Sequence, residues 1–194
     1  RSVAAASVIN VPQSIRIGEY EFKDDHPMPR NDLTFAEIFA HSSNLGTIKI
    51  AQALGKEKLS AYLAACGLGR PTGVDFPGES AGVVPPTDRW TPTSLPTIAI
   101  GQGIAVTPLQ LAGITAIIAN GGATVTPHFL RREIRHDGGS VEYEVPEGKR
   151  VISPNTAASL RYVLGEVVRV GTGTRAAMAL YNCAGKTGTA MKPD

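Results

Sequence analysis

Little in this sequence is extreme, and each scarcity closes a class of function. Two cysteines in 194 residues, Cys66 and Cys183, cannot make a disulfide framework and are expected as small side chains in the interior. Lysine plus arginine (19) nearly balances aspartate plus glutamate (17), for a net charge of +2. The basic residues are also scattered, so no nucleic-acid or anionic-lipid surface is expected. No apolar run approaches a membrane-spanning length, and Arg1 to Asn10 lacks the pattern of a secretory signal, so any export or anchoring sequence is expected outside this chain. The four histidines, His26, His41, His128 and His136, show no i, i+4 pairing and no His-Glu-x-x-His. Neither a metal nor a cofactor is expected.

What is present suits one domain, or a large piece of a bigger one: 42% of the residues are hydrophobic, enough for a real core. Thr34-Phe35-Ala36-Glu37 fits a capping box and predicts a short helix through Phe35, Ile38 and Phe39. Leu45, Ile48, Ala51 and Leu54 then recur at helical spacing before Gly55, and Lys56 to Cys66 reads as a further packing helix with Leu59, Tyr62 and Leu63 on one face. Residues 67–97 are rich in glycine and proline and are expected to be irregular. Thr107-Pro108 opens an apolar helix to about Ala119, the candidate for a buried central helix, with Asn120-Gly121-Gly122 as its stop. Asp137-Gly138-Gly139 predicts a peripheral hairpin. Ser153 or Asn155 caps a helix to about Val170, with Ala158, Leu160, Val163, Leu164 and Val167 inward. Tyr181 to Ala190 reads as a strand.

Two short motifs carry the chemistry. Ser42-Ser43-Asn44 falls at a turn between two helices, and Lys186-Thr187-Gly188-Thr189 lies on the last predicted strand. On a strand, Thr187 and Thr189 would share one face, while Gly185 and Gly188 would leave the backbone open to an extended ligand. Lys186 could meet a carboxylate or a deprotonating serine. Two other patterns are decoys. Ala184-Gly185-Lys186-Thr187 imitates a phosphate-binding loop but has Leu180 where a glycine is required. Gly78-Glu79-Ser80-Ala81-Gly82 imitates a nucleophile elbow but is flanked by Pro77 and Pro85-Pro86 instead of a strand and a helix. His41, beside Ser42, is expected to cap or pack, because helix neighbours point in different directions.

Ser-x-Asn and a distant Lys-Thr-Gly resemble two walls of a penicillin-recognising site. With Phe76-Pro77-Gly78-Glu79, the run Ile100 to Gln110 and Gly171-Thr172-Gly173, they occur in the order found in class B penicillin-binding proteins. The chain resembles the transpeptidase domain of that family, of the cell-division or elongation type. The resemblance implies an α+β penicillin-binding transpeptidase fold related to serine β-lactamases, here mainly the helical subdomain plus the Lys-Thr-Gly strand. It implies peptidoglycan cross-linking on D-Ala-D-Ala stem peptides through a serine acyl-enzyme that β-lactam antibiotics intercept. Ser42 would relay a proton, Asn44 would orient substrate, Lys186 would support Ser42, and Thr187, Gly188 and Thr189 would hold the substrate, with the Thr189 N–H in the oxyanion hole. The partners implied are a membrane glycosyltransferase and other cell-wall synthesis proteins, at the extracytoplasmic face of a bacterial membrane. No serine here has a lysine three positions later, so residues 1–194 are expected to be a partial domain, inactive alone. A non-catalytic muropeptide or β-lactam sensor, or a scaffold of the same fold, is the competing reading.

Overall fold

The Thr34 hydroxyl accepts the Glu37 N–H at 3.2 Å while the Glu37 carboxylate accepts the Thr34 N–H at 2.8 Å. This reciprocal pair satisfies two of the amides that a helix start leaves without partners. It opens α1, Phe35–Ala40, at the point the sequence predicts. The computed structural model describes residues 5–28 and 30–189. Further helices follow: α2, Asn44–Leu54; α3, Lys56–Ala65; α4, Ser94–Ala99; α5, Pro108–Ala119; and α6, Pro154–Arg169. The chain is α+β, and its described residues include six three-residue strands in three antiparallel pairs.

The chain divides into two compact units, each drawn from separate stretches of sequence. The first comprises residues 1–60, 85–104 and 158–194. In it β1, Val8–Asn10, pairs with β4, Asp32–Thr34, and β2, Ile15–Ile17, pairs with β3, Tyr20–Phe22. These strands escape the sequence reading because three residues are too few to display an alternating pattern. Gly18, at φ 62, supplies the positive φ of the two-residue turn between β2 and β3. Val11, Leu33, Ile38 and Leu45 form a buried cluster, flanked by Ile9, Ile15, Phe22, Met28, Phe39 and Ile50. The start of the chain and the α1–α2 pair therefore share one core. α4 packs on α2 and buries Pro96 and Ile98. Residues 94–97 were expected to be irregular. Pro96 lies in the first turn, where its missing N–H costs no intrahelical bond.

The second unit comprises residues 61–84 and 105–157. The Thr107 hydroxyl and Gln110 form a second capping box at the start of α5. Gln110 is buried, and its amide nitrogen donates to the carbonyls of Arg70 and Ala81 at 2.8 and 2.9 Å, tying the glycine-rich loop to the helix. Asp75 accepts the N–H groups of Phe129 and Leu130 at 2.7 and 2.8 Å. β5, Arg132–Ile134, pairs with β6, Ser140–Glu142, as the hairpin pattern predicts.

Four expectations need correction. α5 is not a buried central helix: only Gln110 and Ile117 are buried and Leu111 is 54% exposed. Apart from Gln110 and Thr115 it is built of apolar residues and glycine, so no polar face marks in the sequence the side left to solvent. α3 buries no residue; Tyr62 is exposed, so α3 is a surface helix. On α6, Val163 and Val167 are buried and Leu160 and Leu164 partly buried as expected, but Ala158 is exposed and Ala157 is buried in its place. Cys66 and Cys183 are free thiols and only partly buried. No helix among the described residues is long and apolar enough to cross a membrane.

Candidate active site

Three residues, His41, Ser42 and Ser43, separate α1 from α2, and their backbone is unusual. Ser42 has φ 56 and is the one non-glycine residue with a positive φ among those described. Such a conformation costs an L-residue roughly 1 kcal/mol or more, so the surroundings must impose it. They do so through the Ser42 N–H to the Phe39 carbonyl at 3.2 Å and the Ser43 N–H to the Ile38 carbonyl at 2.9 Å. His41 is the C-cap of α1, in the capping role expected for it.

Ser43 is fully buried and is the N-cap of α2, its Oγ accepting the Gly46 N–H at 3.0 Å. That oxygen donates in turn to Asp24 at 2.9 Å, and the same carboxylate accepts the Leu45 N–H at 3.0 Å. At Gly46 the two helices meet so closely that a Cβ would lie 2.7 Å from the Ile38 side chain. Together these contacts fix where Ser42 stands.

Lys186 reaches that serine from 144 positions along the chain, its ammonium donating to Ser42 Oγ at 2.7 Å and to the Thr187 carbonyl at 3.0 Å. Burial pushes the lysine pKa below its ordinary value. No carboxylate among the described residues pairs with it to oppose that shift. The sign follows directly: the charged form is penalised on folding, and the penalty eases as pH rises from the folded toward the unfolded pKa. A serine oxygen receiving a hydrogen bond from an ammonium is polarised toward releasing its own proton.

The segment carrying Lys186 is not the predicted strand. Residues 182–189 have no strand neighbour, and their one backbone bond to a helix is the Gly185 N–H to the Leu164 carbonyl at 3.2 Å; Ala190 lies outside the described residues. A strand requires a partner ladder, and no other strand among the described residues pairs with it. The segment is instead anchored by the turn after α6. Gly171 approaches α1 so closely that a Cβ would fall 2.2 Å from the Ala40 carbonyl oxygen. The Thr172 N–H donates to that same oxygen at 2.9 Å, and the Thr172 and Thr187 hydroxyls are 2.7 Å apart.

The structure thus brings together Ser42, Lys186 and Thr187 and adds Thr172, which the motifs alone did not assign. Its signal was the Gly-Thr-Gly that ends α6. Asn44 is the first residue of α2, and its amide turns to the Lys23 carbonyl at 3.4 Å; it bonds neither Ser42 nor Lys186. Gly188 and Thr189 are exposed, and a Cβ at Gly188 would meet nothing within 4 Å.

Known proteins resemble this chain in sequence and in fold. Residues 7–194 match the penicillin binding protein transpeptidase domain. Penicillin-binding protein PbpB of Mycolicibacterium smegmatis is 41% identical over 192 residues, covering 95% of this chain and 30% of that protein. Stage V sporulation protein D of Bacillus subtilis is 38% identical over 161 residues, covering 82% of this chain and 25% of that one. The crystal structure of penicillin binding protein 3 from Mycobacterium tuberculosis complexed with ampicillin superposes with a TM-score of 0.93 at 37% identity, over 99% of this chain and 44% of that one. The chain spans less than a third of the length of these curated relatives. On the matched residues, their order and the shared fold, it belongs to the penicillin binding protein transpeptidase domain family.

Proposed function

We propose that this chain forms the Ser-x-Asn and Lys-Thr-Gly walls of a peptidoglycan D,D-transpeptidase site. The observation that carries the reading is the 2.7 Å contact between the Lys186 ammonium and Ser42 Oγ. In support, a relative from Caulobacter vibrioides is named a probable peptidoglycan D,D-transpeptidase, and the ampicillin complex is of a structural relative.

In the reaction, a serine from sequence outside these 194 residues attacks the carbonyl of the terminal D-Ala-D-Ala bond of a stem peptide. Its proton passes through Ser42 to the departing D-alanine amine, and an acyl-enzyme remains. An amine of a neighbouring peptidoglycan strand then attacks the ester and completes the cross-link. Lys186 stabilises the negative charge that grows on Ser42 as the proton moves, and Asn44 orients the substrate amide. Thr187 and Thr189 bind the terminal carboxylate, Gly188 gives it room, and the Thr189 N–H forms half of the oxyanion hole. A β-lactam enters by the first step and stalls at the second. Without the attacking serine, the isolated chain has no turnover. The working protein lies at the extracytoplasmic face of a bacterial membrane, beside a glycosyltransferase and other cell-wall synthesis proteins that supply strands.

Lys186→Ala in the full-length protein tests the reading. Acylation by a fluorescent penicillin should slow by on the order of 100-fold or more, because charge stabilisation is lost from the transition state. The melting temperature should move little, since Lys186 is only partly covered and keeps solvent contact, and surface substitutions usually change stability by about 0.5 kcal/mol or less. Unchanged acylation with a collapsed melting temperature would make Lys186 a structural residue and sink the assignment.

A further inference from the structure

Asp24 belongs to no motif, and nothing in the sequence marks it; it lies 19 positions before Ser43. Yet its carboxylate takes two hydrogen bonds at the start of α2, from the buried Ser43 hydroxyl at 2.9 Å and from the Leu45 N–H at 3.0 Å. The Ser43 oxygen already accepts the Gly46 N–H at 3.0 Å, so its own proton needs an acceptor, and a buried hydroxyl without one would lose roughly 1–3 kcal/mol. Asp24 is that acceptor. The adjacent residue helps, because the Lys23 carbonyl receives the Asn44 amide at 3.4 Å.

The consequence reaches Ser42. On its N-terminal side the left-handed turn is held by the Phe39 and Ile38 carbonyls. On its C-terminal side Asp24 and Lys23 hold the next three residues, Ser43, Asn44 and Leu45. A serine at φ 56 persists only where both flanks are fixed. Release of one flank lets the backbone relax toward negative φ, which swings Ser42 Oγ away from Lys186. A carboxylate is also favourable at a helix N-terminus, where amide dipoles converge.

We propose that Asp24 is a positioning residue for the Ser42–Lys186 pair. It acts through Ser43 and Leu45 and touches no substrate. The proposal rests on the acyl-transfer reading only for its kinetic half.

The test uses the full-length protein, with acylation by a fluorescent penicillin and crystal structures of the variants. Asp24→Ala should slow acylation between about 10- and 100-fold, the loss typical of a reacting group misplaced by about an ångström. Asp24→Asn, whose amide oxygen still accepts the Leu45 N–H, should recover part of that loss. In a Ser42→Ala background Asp24→Ala should add less than about twofold, because residues acting through one another are not additive. The Asp24→Ala structure should show Ser42 moved out of its left-handed conformation or out of hydrogen-bond distance of Lys186. An unmoved Ser42 with undiminished acylation overturns the proposal, as does the same loss with and without Ser42. If the wild-type protein is not acylated at all, the acyl-transfer reading falls, and the position of Ser42 in the Asp24→Ala structure still decides for or against Asp24.

Discussion

Ser42 combines a backbone conformation that serine avoids with a side chain in contact with a lysine, and one substitution separates the two. Ser42→Gly accepts φ 56 without steric cost, which offsets the extra freedom glycine gains when unfolded, so stability should change by less than about 1 kcal/mol. Loss of the hydroxyl should slow acylation of the full-length protein by on the order of 100-fold, the usual worth of a positioned proton-transfer group. Denaturant titration and acylation kinetics on one variant check both halves; a large loss of stability would mean that the hydroxyl supports the fold. At this scale the sequence was legible where residues that meet in space belong to short motifs. Ser42, Lys186 and Thr187 were readable from their neighbours. Asp24 and Thr172 were not, because an aspartate that caps a distant helix and a threonine that bonds a distant threonine leave no local pattern.

Helices with their own start and stop signals were also legible: Thr34 and Glu37 announce α1, Thr107 and Pro108 announce α5, and Ser153 announces α6, its Oγ accepting the Thr156 N–H at 3.1 Å. Elements that depend on a partner were not. The four strands between Val8 and Thr34 pair across turns or across the chain, and α4, which packs on α2 and buries Pro96 and Ile98, has no side-chain cap to announce it. The reverse error occurred at residues 181–190, where alternation suggested a strand and no ladder exists. Amide exchange follows from this. The amides of 182–184 and 186–189 should exchange rapidly, and Gly185, bonded to the Leu164 carbonyl, should be slower. Mass spectrometry with residue-level resolution would show it, and uniform slow exchange over this segment would mean that another strand pairs with it in solution.

Over the whole molecule, carboxylates that receive N–H groups link both compact units to pH. Glu37 in the first unit is held below the usual carboxylate range by the Thr34 amide and hydroxyl and then by Arg30. In the second unit, the Phe129 and Leu130 amides depress Asp75, and Thr72 depresses Glu79. A depressed folded pKa contributes stability that is complete above the unfolded value, about 3.9 for Asp and 4.3 for Glu, and is lost as pH falls through the folded one. Melting temperature should therefore decline below about pH 4, and Glu37→Gln should flatten that decline; an equally steep acid limb in the variant would remove Glu37 from the account. The two free thiols carry a different consequence. Cys66 lies in the second unit and Cys183 in the first, on the segment without a strand neighbour, so pulsed alkylation read by mass follows two different environments in one unlabelled protein. Burial raises the Cys66 pKa and leaves less thiolate to react, so Cys66 should be modified more slowly than a free thiol until its unit opens. Cys183 should be modified first without denaturant, and addition of a mild denaturant should then bring Cys66 to the rate of a free thiol as its unit opens.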